Sequence, residues 1–419
     1  MQMRFLGKCA SRSLVIRITL ATLSVYASES RSIEPASQLG GLYGLAADHP
    51  SVSFARSEKR IAEYDLETTE WGHYPSLSVN GAQPFDSSSS LTLTLEQPIY
   101  TAGRTDFLIG AAGTRVDSAT IRIDEALQDI QLETASAYVE MLRAQRRVID
   151  AEANIRELEK LFAVIERRVK QDISARAEQT LVQARLQQAI SDRHQYLGLF
   201  QSAKNRIRSS TGETVESVIP LDCSLADVLS ETDLVGETYS RSPRLKRIAE
   251  ERRSALYEVN AAEAERYPRI VLGAEHISDL NAFDNSNFTA YIGIQYQLQD
   301  GFSLDSRIAS ARARVASVDE SERLTKEQLR QQVAGLVRDY QAAKNQLPPL
   351  TELVESNEGL IESYLRQYRA GKKTWLDVIN AQREMIQARF LLTDSYAAQC
   401  ASAARLELLT GASLIVEAR

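Results

Sequence analysis

Residues 50–75, PSVSFARSEKRIAEYDLETTEWGHYP, align without a gap on residues 243–268, PRLKRIAEERRSALYEVNAAEAERYP. Glu58, Arg60, Ala62, Tyr64, Glu70 and Tyr74 recur as Glu251, Arg253, Ala255, Tyr257, Glu263 and Tyr267. The likeness continues outward, since Gly103 pairs with Gly301 and Thr211-Gly212 with Thr410-Gly411. Each half is too long for a solenoid unit, so the chain reads as one duplicated domain. The division is 28–212 for the first repeat, 213–240 for a linker, 241–412 for the second repeat and 413–419 for a tail.

Both halves predict a helix, two strands, a very long helix and a returning helix. The first helix stops at Tyr74-Pro75 or Tyr267-Pro268, because proline cannot continue a helix interior. The period then drops to two. Leu77, Val79, Leu91, Leu93 and Leu95 alternate with polar neighbours, and so do Ile292, Ile294, Tyr296 and Leu298. One apolar and one polar face mark strands lying between two environments. The hairpins cover 75–100 and 268–300, with polar joining segments at 84–90 and 281–287. The long helices show steps of three and four, Ile155, Leu158, Phe162, Ile165, Val169 in one half and Leu329, Val333, Leu336, Tyr340, Ala343, Leu347 in the other. That is a coiled-coil seam. The returning helices, near 178–209 and 376–409, supply the antiparallel partner seam.

Composition agrees. The 419 residues include only 10 prolines, none between Pro98 and Pro220 and none after Pro349, which favours long helices. A formal charge of −7 leaves no basic surplus for nucleic acid. No stretch approaches the ~18 apolar residues of a membrane-spanning helix. The start, with Arg4, Lys8, Arg12 and Arg17 ahead of an apolar stretch at 18–26, reads as a secretory signal over residues 1–27. Its removal would bring the formal charge near −11. Cys223 and Cys400 then remain in an oxidising compartment, where pairing is possible; with no further cysteine to suggest a framework, it is not the expectation.

An exported chain with four amphipathic strands has one economical outcome. Four strands cannot close a barrel, which needs about eight. A projecting hairpin is not stable alone. Several chains pooling their hairpins into one membrane barrel leave no open edge. The rival is a secreted or periplasmic structural coiled coil without a pore. Enzyme readings fare poorly: His49, His73, His194 and His276 are scattered without metal-ligand spacing, and no phosphate-cradling or nucleophile motif occurs. No cofactor or metal is expected.

At this point the sequence resembles the TolC-like outer-membrane efflux and export channels, over roughly residues 40–412. The resemblance rests on the repeated Tyr-Pro, on Gln97-Pro98-Ile99-Tyr100-Thr101-Ala102-Gly103-Arg104 with its counterpart Leu298-Gln299-Asp300-Gly301, and on Tyr368-Arg369-Ala370-Gly371-Lys372-Lys373-Thr374-Trp375-Leu376-Asp377-Val378. It implies a mainly α fold with a small β part: a homotrimer with a helical tunnel in the periplasm and a twelve-stranded barrel in the outer membrane of a Gram-negative cell. It implies an exit duct for small molecules or proteins in a tripartite pump or type I secretion system. The implied partners are a periplasmic adaptor, an inner-membrane transporter and outer-membrane lipid. A heavy-metal cation duct of the same fold is a further alternative.

The resemblance also places the periplasmic tip, where the tunnel narrows, at the two helix-to-helix turns. It implies a gate network of Tyr368, Lys373 and Glu178, a ring of Asp377 carboxylates at the entrance, and adaptor contacts at Gly371, Ala370 and Asp172. Asn380, one turn on, could add a polar ring. On residues alone, Lys373 and Asp377 read equally as an exposed i,i+4 pair. Where the family usually carries Gly in the first turn, this chain has Asp172, which takes left-handed backbone less readily. Pro348-Pro349, midway along the second long helix, predicts a kink or break.

Overall fold

The computed structural model describes residues 38–83, 89–223, 225, 230–279, 286–296 and 303–411. The signal segment, Gly301, most of both hairpin tips and the 413–419 tail lie outside the described residues.

The duplicated pattern folds twice. Helix α1 (Gln38–Leu45) leads into α2 (Pro50–Glu70), strands β1 (Ser76–Ala82) and β2 (Ser90–Tyr100), the long α3 (Arg104–Lys170) and the returning α4 (Arg176–Thr211). Helix α5 (Glu231–Arg241) fills the end of the stretch read as a linker and runs one residue into the second repeat. The second half repeats the order with α6 (Pro243–Ala264), β3 (Arg269–Asp279), β4 (Ser286–Gln295), α7 (Ser303–Arg369) and α8 (Trp375–Thr410). Both α2 and α6 open on a proline whose missing N–H costs nothing at the first helical turn. Helices α3 and α7 have 67 residues each, roughly 100 Å at 1.5 Å per residue. Helices α4 and α8 both end on a glycine with positive φ, Gly212 at 75° and Gly411 at 63°, whose N–H caps the carbonyl of Arg208 or Glu407.

The coiled-coil seams are buried as their spacing requires. Leu158 and Ile165 are core residues of α3, and Leu329, Val333, Leu336, Tyr340 and Ala343 those of α7. Ile155, Phe162 and Val169 pack partly buried against the same core. Helix α7 does not break at Pro348 and Pro349. The segment around them is exposed, so water can take over the backbone bonds that the prolines cannot make.

The strands give a different arrangement from two separate hairpins. They form one antiparallel sheet in the order β1-β2-β3-β4, joined between the halves by β2 and β3. Register puts Leu77 opposite Leu95, Leu95 opposite Ala274, and Leu272 opposite Ile292, so one face is mostly apolar, with Gln97, His276 and Ser278 among its polar members. Ser78, Thr94, Glu275 and Thr289 share the opposite face. On that polar face the Tyr291 ring lies over Gly273, where a Cβ would come within 2.2 Å of it. The apolar face is open: Leu77 is 68 % exposed and Ile292 72 %. Among the described residues, no helix is long and apolar enough to cross a membrane.

Cys223 and Cys400 are disulfide-bonded, with Cα atoms 5.0 Å apart, contrary to the sequence expectation. The reason is tertiary. Residues 215–223 and Leu225 lie across α3, α7 and α8, held by Tyr138, whose hydroxyl meets the Ile219 carbonyl at 3.0 Å. Gln145 bonds both backbone groups of Val218, and the Leu225 N–H donates to Tyr340 at 2.8 Å. Burial is the main cause of the Tyr138 pKa being pushed up to about 12, so its hydroxyl stays a donor.

Candidate functional site: the tip turns

The α3–α4 and α7–α8 turns are built alike. The Ile173 N–H donates to Arg168 O and the Asp172 N–H to Val169 O; the Lys372 N–H donates to Gln367 O and the Gly371 N–H to Tyr368 O. This six-to-one and five-to-two pair is the Schellman stop, which needs a left-handed residue just past the helix. Gly371 supplies it at φ 72°. Asp172 supplies it at φ 54°, so the aspartate adopts the glycine conformation. Ala370, beside Gly371, is exposed.

The restart differs between the halves. Thr374 caps α8: its hydroxyl accepts from the Asp377 N–H, and Asp377 Oδ2 accepts from the Thr374 N–H at 2.9 Å and its hydroxyl at 2.8 Å. This is a capping box. Those bonds, with the Lys373 charge adding to them, hold the Asp377 carboxyl below its usual range. In the first turn Ala175 stands where Thr374 does and has no side-chain cap to offer. Glu178, the counterpart of Asp377, is half-buried in the first turn of α4.

Tyr368 is buried and ties the two turns together. Its hydroxyl lies 3.1 Å from Ser174 Oγ, which also accepts from Arg168 Nε at 3.1 Å. The Arg168 guanidinium sits 4.8 Å over the Tyr368 ring, and the Trp375 ring packs against it at 5.0 Å. Lys373 places its ammonium 4.4 Å over the Tyr364 ring. Each cation–π contact contributes about 0.5–1 kcal/mol at such sites. Tyr368, Trp375, Val378 and Ile379 share one apolar cluster with Leu158, Leu161 and Ile165 of the other half. Asn380 lies half-buried in α8. Within one chain, Tyr368 is joined to Ser174 and Arg168. Among the described residues, neither Tyr368 nor Lys373 has a bond to Glu178.

Sequence reasoning missed Ser174, Arg168 and Trp375. Trp375 was visible inside the quoted motif, but its stacking on Tyr368 needs the turn geometry. Ser174 and Arg168 carry no motif of their own.

The two-fold internal design, the alternating strands and these turns agree with one further observation. The sequence profile of the outer membrane efflux proteins matches residues 42–213 and again 234–412, one match in each half. The chain belongs to the outer membrane efflux protein family. It is an outer-membrane efflux channel that extends into the periplasm, which sets aside the pore-free coiled coil. Outer membrane efflux protein BepC of Brucella suis is 16 % identical over 406 residues, covering 94 % of this chain and 89 % of that protein. Among solved structures, the efflux protein fold is shared with VceC of Vibrio cholerae (TM-score 0.76, 18 % identity, covering 90 % of this chain and 96 % of that one). A membrane protein of Pseudomonas aeruginosa superposes with TM-score 0.79 at 18 % identity, covering 89 % and 90 %. The MtrE channel of Neisseria gonorrhoeae, solved in its open state, gives 0.72 at 15 %, covering 90 % and 89 %.

Proposed function

We propose that three copies of this chain form the exit duct of a tripartite efflux pump or type I secretion system, with Tyr368, Lys373 and Glu178 holding its periplasmic end closed. The observation that carries the trimer is the sheet. Strands β1 and β4 each present an unpaired edge, and one face is apolar and open. Lipid tolerates no unpaired strand edge, and pooling four strands from each of three chains gives twelve and closes the ring. The helical part then forms the periplasmic conduit. A periplasmic adaptor and an inner-membrane transporter complete the route at the tip turns, where Ala370, Gly371 and Asp172 lie on the surface.

The gate reading draws support from the tip chemistry. A few charge-assisted and ring contacts can hold a state shut and yet be displaced by a partner. Tyr368 already bridges both turns through Ser174, and Lys373 stands on Tyr364 beside it. In the closed duct Lys373 and Glu178 supply the opposite charges of this network. The test is single-channel recording in planar bilayers from detergent-extracted protein whose mass is that of three chains. Tyr368→Phe combined with Lys373→Ala raises conductance severalfold if the network closes the duct. Unchanged conductance in the double variant would take these residues out of the gate.

A further inference from the structure

The helical body has two faces, and α3 shows both. On one side Tyr138 and Gln145 hold residues 215–223, and α1 packs there through Leu39 and Leu42. Glu140, Arg143 and Arg147 stand about half a turn round the helix from them, at 3.6 residues per turn. On that second side α3 is the floor of a cleft between α4 and α8. The cleft holds two adjoining cavities of about 210 and 180 Å³, both lined by Glu140, Arg143 and Asp394.

The charges in this cleft do not cancel. Arg147 grips Asp394 with two guanidinium nitrogens, Nε at 3.1 Å. It is fixed there by the Tyr196 hydroxyl at 3.0 Å and the Phe390 ring at 4.9 Å. Arg206 pairs with Glu140. Both carboxylates that line the cavities are thus neutralised, which leaves Arg143 and Arg405. Arg405 donates to Ser136 Oγ at 3.0 Å. Both arginines are exposed, and neither makes an ion pair among the described residues. The same holds for Arg56 and Arg244; what sets Arg143 apart is its place between two cavities. The remaining walls are small or apolar, with Ala144, Leu199 and Ala203 in one cavity and Ala397, Ala398 and Ala401 in the other.

We infer that this cleft is a cargo site in the wall of the bore, taking small organic anions by their carboxylate groups. The guanidinium fork matches a carboxylate, and the alanine and leucine walls suit a carbon body better than an inorganic ion. The placement rests on the duct reading. A ring of twelve helices, each about 10 Å across, leaves a bore roughly 28 Å wide. Three copies of α1 and of the 215–223 segment would crowd that space, so their face turns outward and the cleft inward. Asp377 and Asp394 stand roughly 25 Å apart along α8 at 1.5 Å per residue, so the entrance carboxylates and the cleft meet cargo at different points.

The test titrates phthalate, an aromatic dicarboxylate, into the full-length protein in detergent and follows the heat. Phthalate is expected to bind, and Arg143→Gln combined with Arg405→Gln should weaken it at least roughly tenfold. Arg56→Gln combined with Arg244→Gln should leave it unchanged. A wild type that does not bind, equal loss in the two variants, or binding retained in the cleft variant overturns the proposal. Inorganic phosphate bound as tightly as phthalate overturns the organic class. Planar-bilayer recording on the same preparations keeps the two readings apart. Phthalate should lower the current of the wild type and spare that of the cleft variant. Binding without a fall in current removes the cleft from the bore and leaves the duct. Binding by a protein that forms no pore removes the duct instead.

Discussion

At the residue scale, the two halves solve the same turn with different side chains. Gly371 takes its left-handed conformation freely, whereas Asp172 bears the cost of a Cβ there. The hydrogen bonds around both are the same, so the difference is local strain. Asp172→Gly is therefore expected to stabilise the chain by about 0.5–1 kcal/mol, the gain in the folded state being offset in part by a freer unfolded chain. Denaturant midpoints would show it, and a lower midpoint would mean that the Asp172 side chain contributes more than its backbone costs. The acid response of Asp377 has a definite sign. Its folded pKa is depressed, so the stabilisation of the α8 start is present above the ordinary carboxylate pKa and is lost as pH falls through the folded value.

At the element scale, what sequence periodicity reports well is what a single helix or strand does with its own neighbours. Leu158 and Ile165 had to be buried because a seam with steps of three and four has one apolar side. The strands had to separate Leu77 and Leu93 from Ser78 and Thr94 because the pleat alternates. Proline was a poorer guide. Pro348 and Pro349 each remove a donor, yet an exposed helix face loses little by that. The disulfide lay beyond any local signal. Cys223 and Cys400 are 177 residues apart, and they meet because Tyr138, Gln145, Tyr340 and Tyr396 hold the inter-repeat segment on the helices. Closing so long a loop removes much unfolded-state entropy, and losing a native bridge typically costs roughly 2–5 kcal/mol. Cys223→Ser with Cys400→Ser should lower the thermal midpoint, while oxidised wild type keeps it. If the midpoints coincide, the packing around the segment, and not the bond, secures it.

At the scale of the whole molecule, the duct reading makes Asp377 a threefold feature. Three carboxylates at a narrow entrance favour cations over anions. The bonds from Thr374 keep each one ionised without hiding it, since the residue remains half-exposed. Asp377→Asn retains an oxygen for the cap, so the fold should survive while the cation preference drops roughly twofold or more. Reversal potentials across a salt gradient would measure this; an unchanged preference would leave Asp377 as a helix cap alone.

The amino-acid sequence by itself determined the duplication, the long helices, the stop at each Tyr-Pro and the two-faced strands, because each follows from steric limits and side-chain periods within a few residues. The motif around Gly371 likewise marked the α7–α8 turn. Only the tertiary structure decided that β2 pairs with β3 to make one sheet, that Cys223 reaches Cys400, and that Tyr368 stacks with Arg168 and Trp375 beside Ser174. Those contacts join residues far apart in the chain, and their partners are selected by how whole helices and strands pack, which no local period encodes.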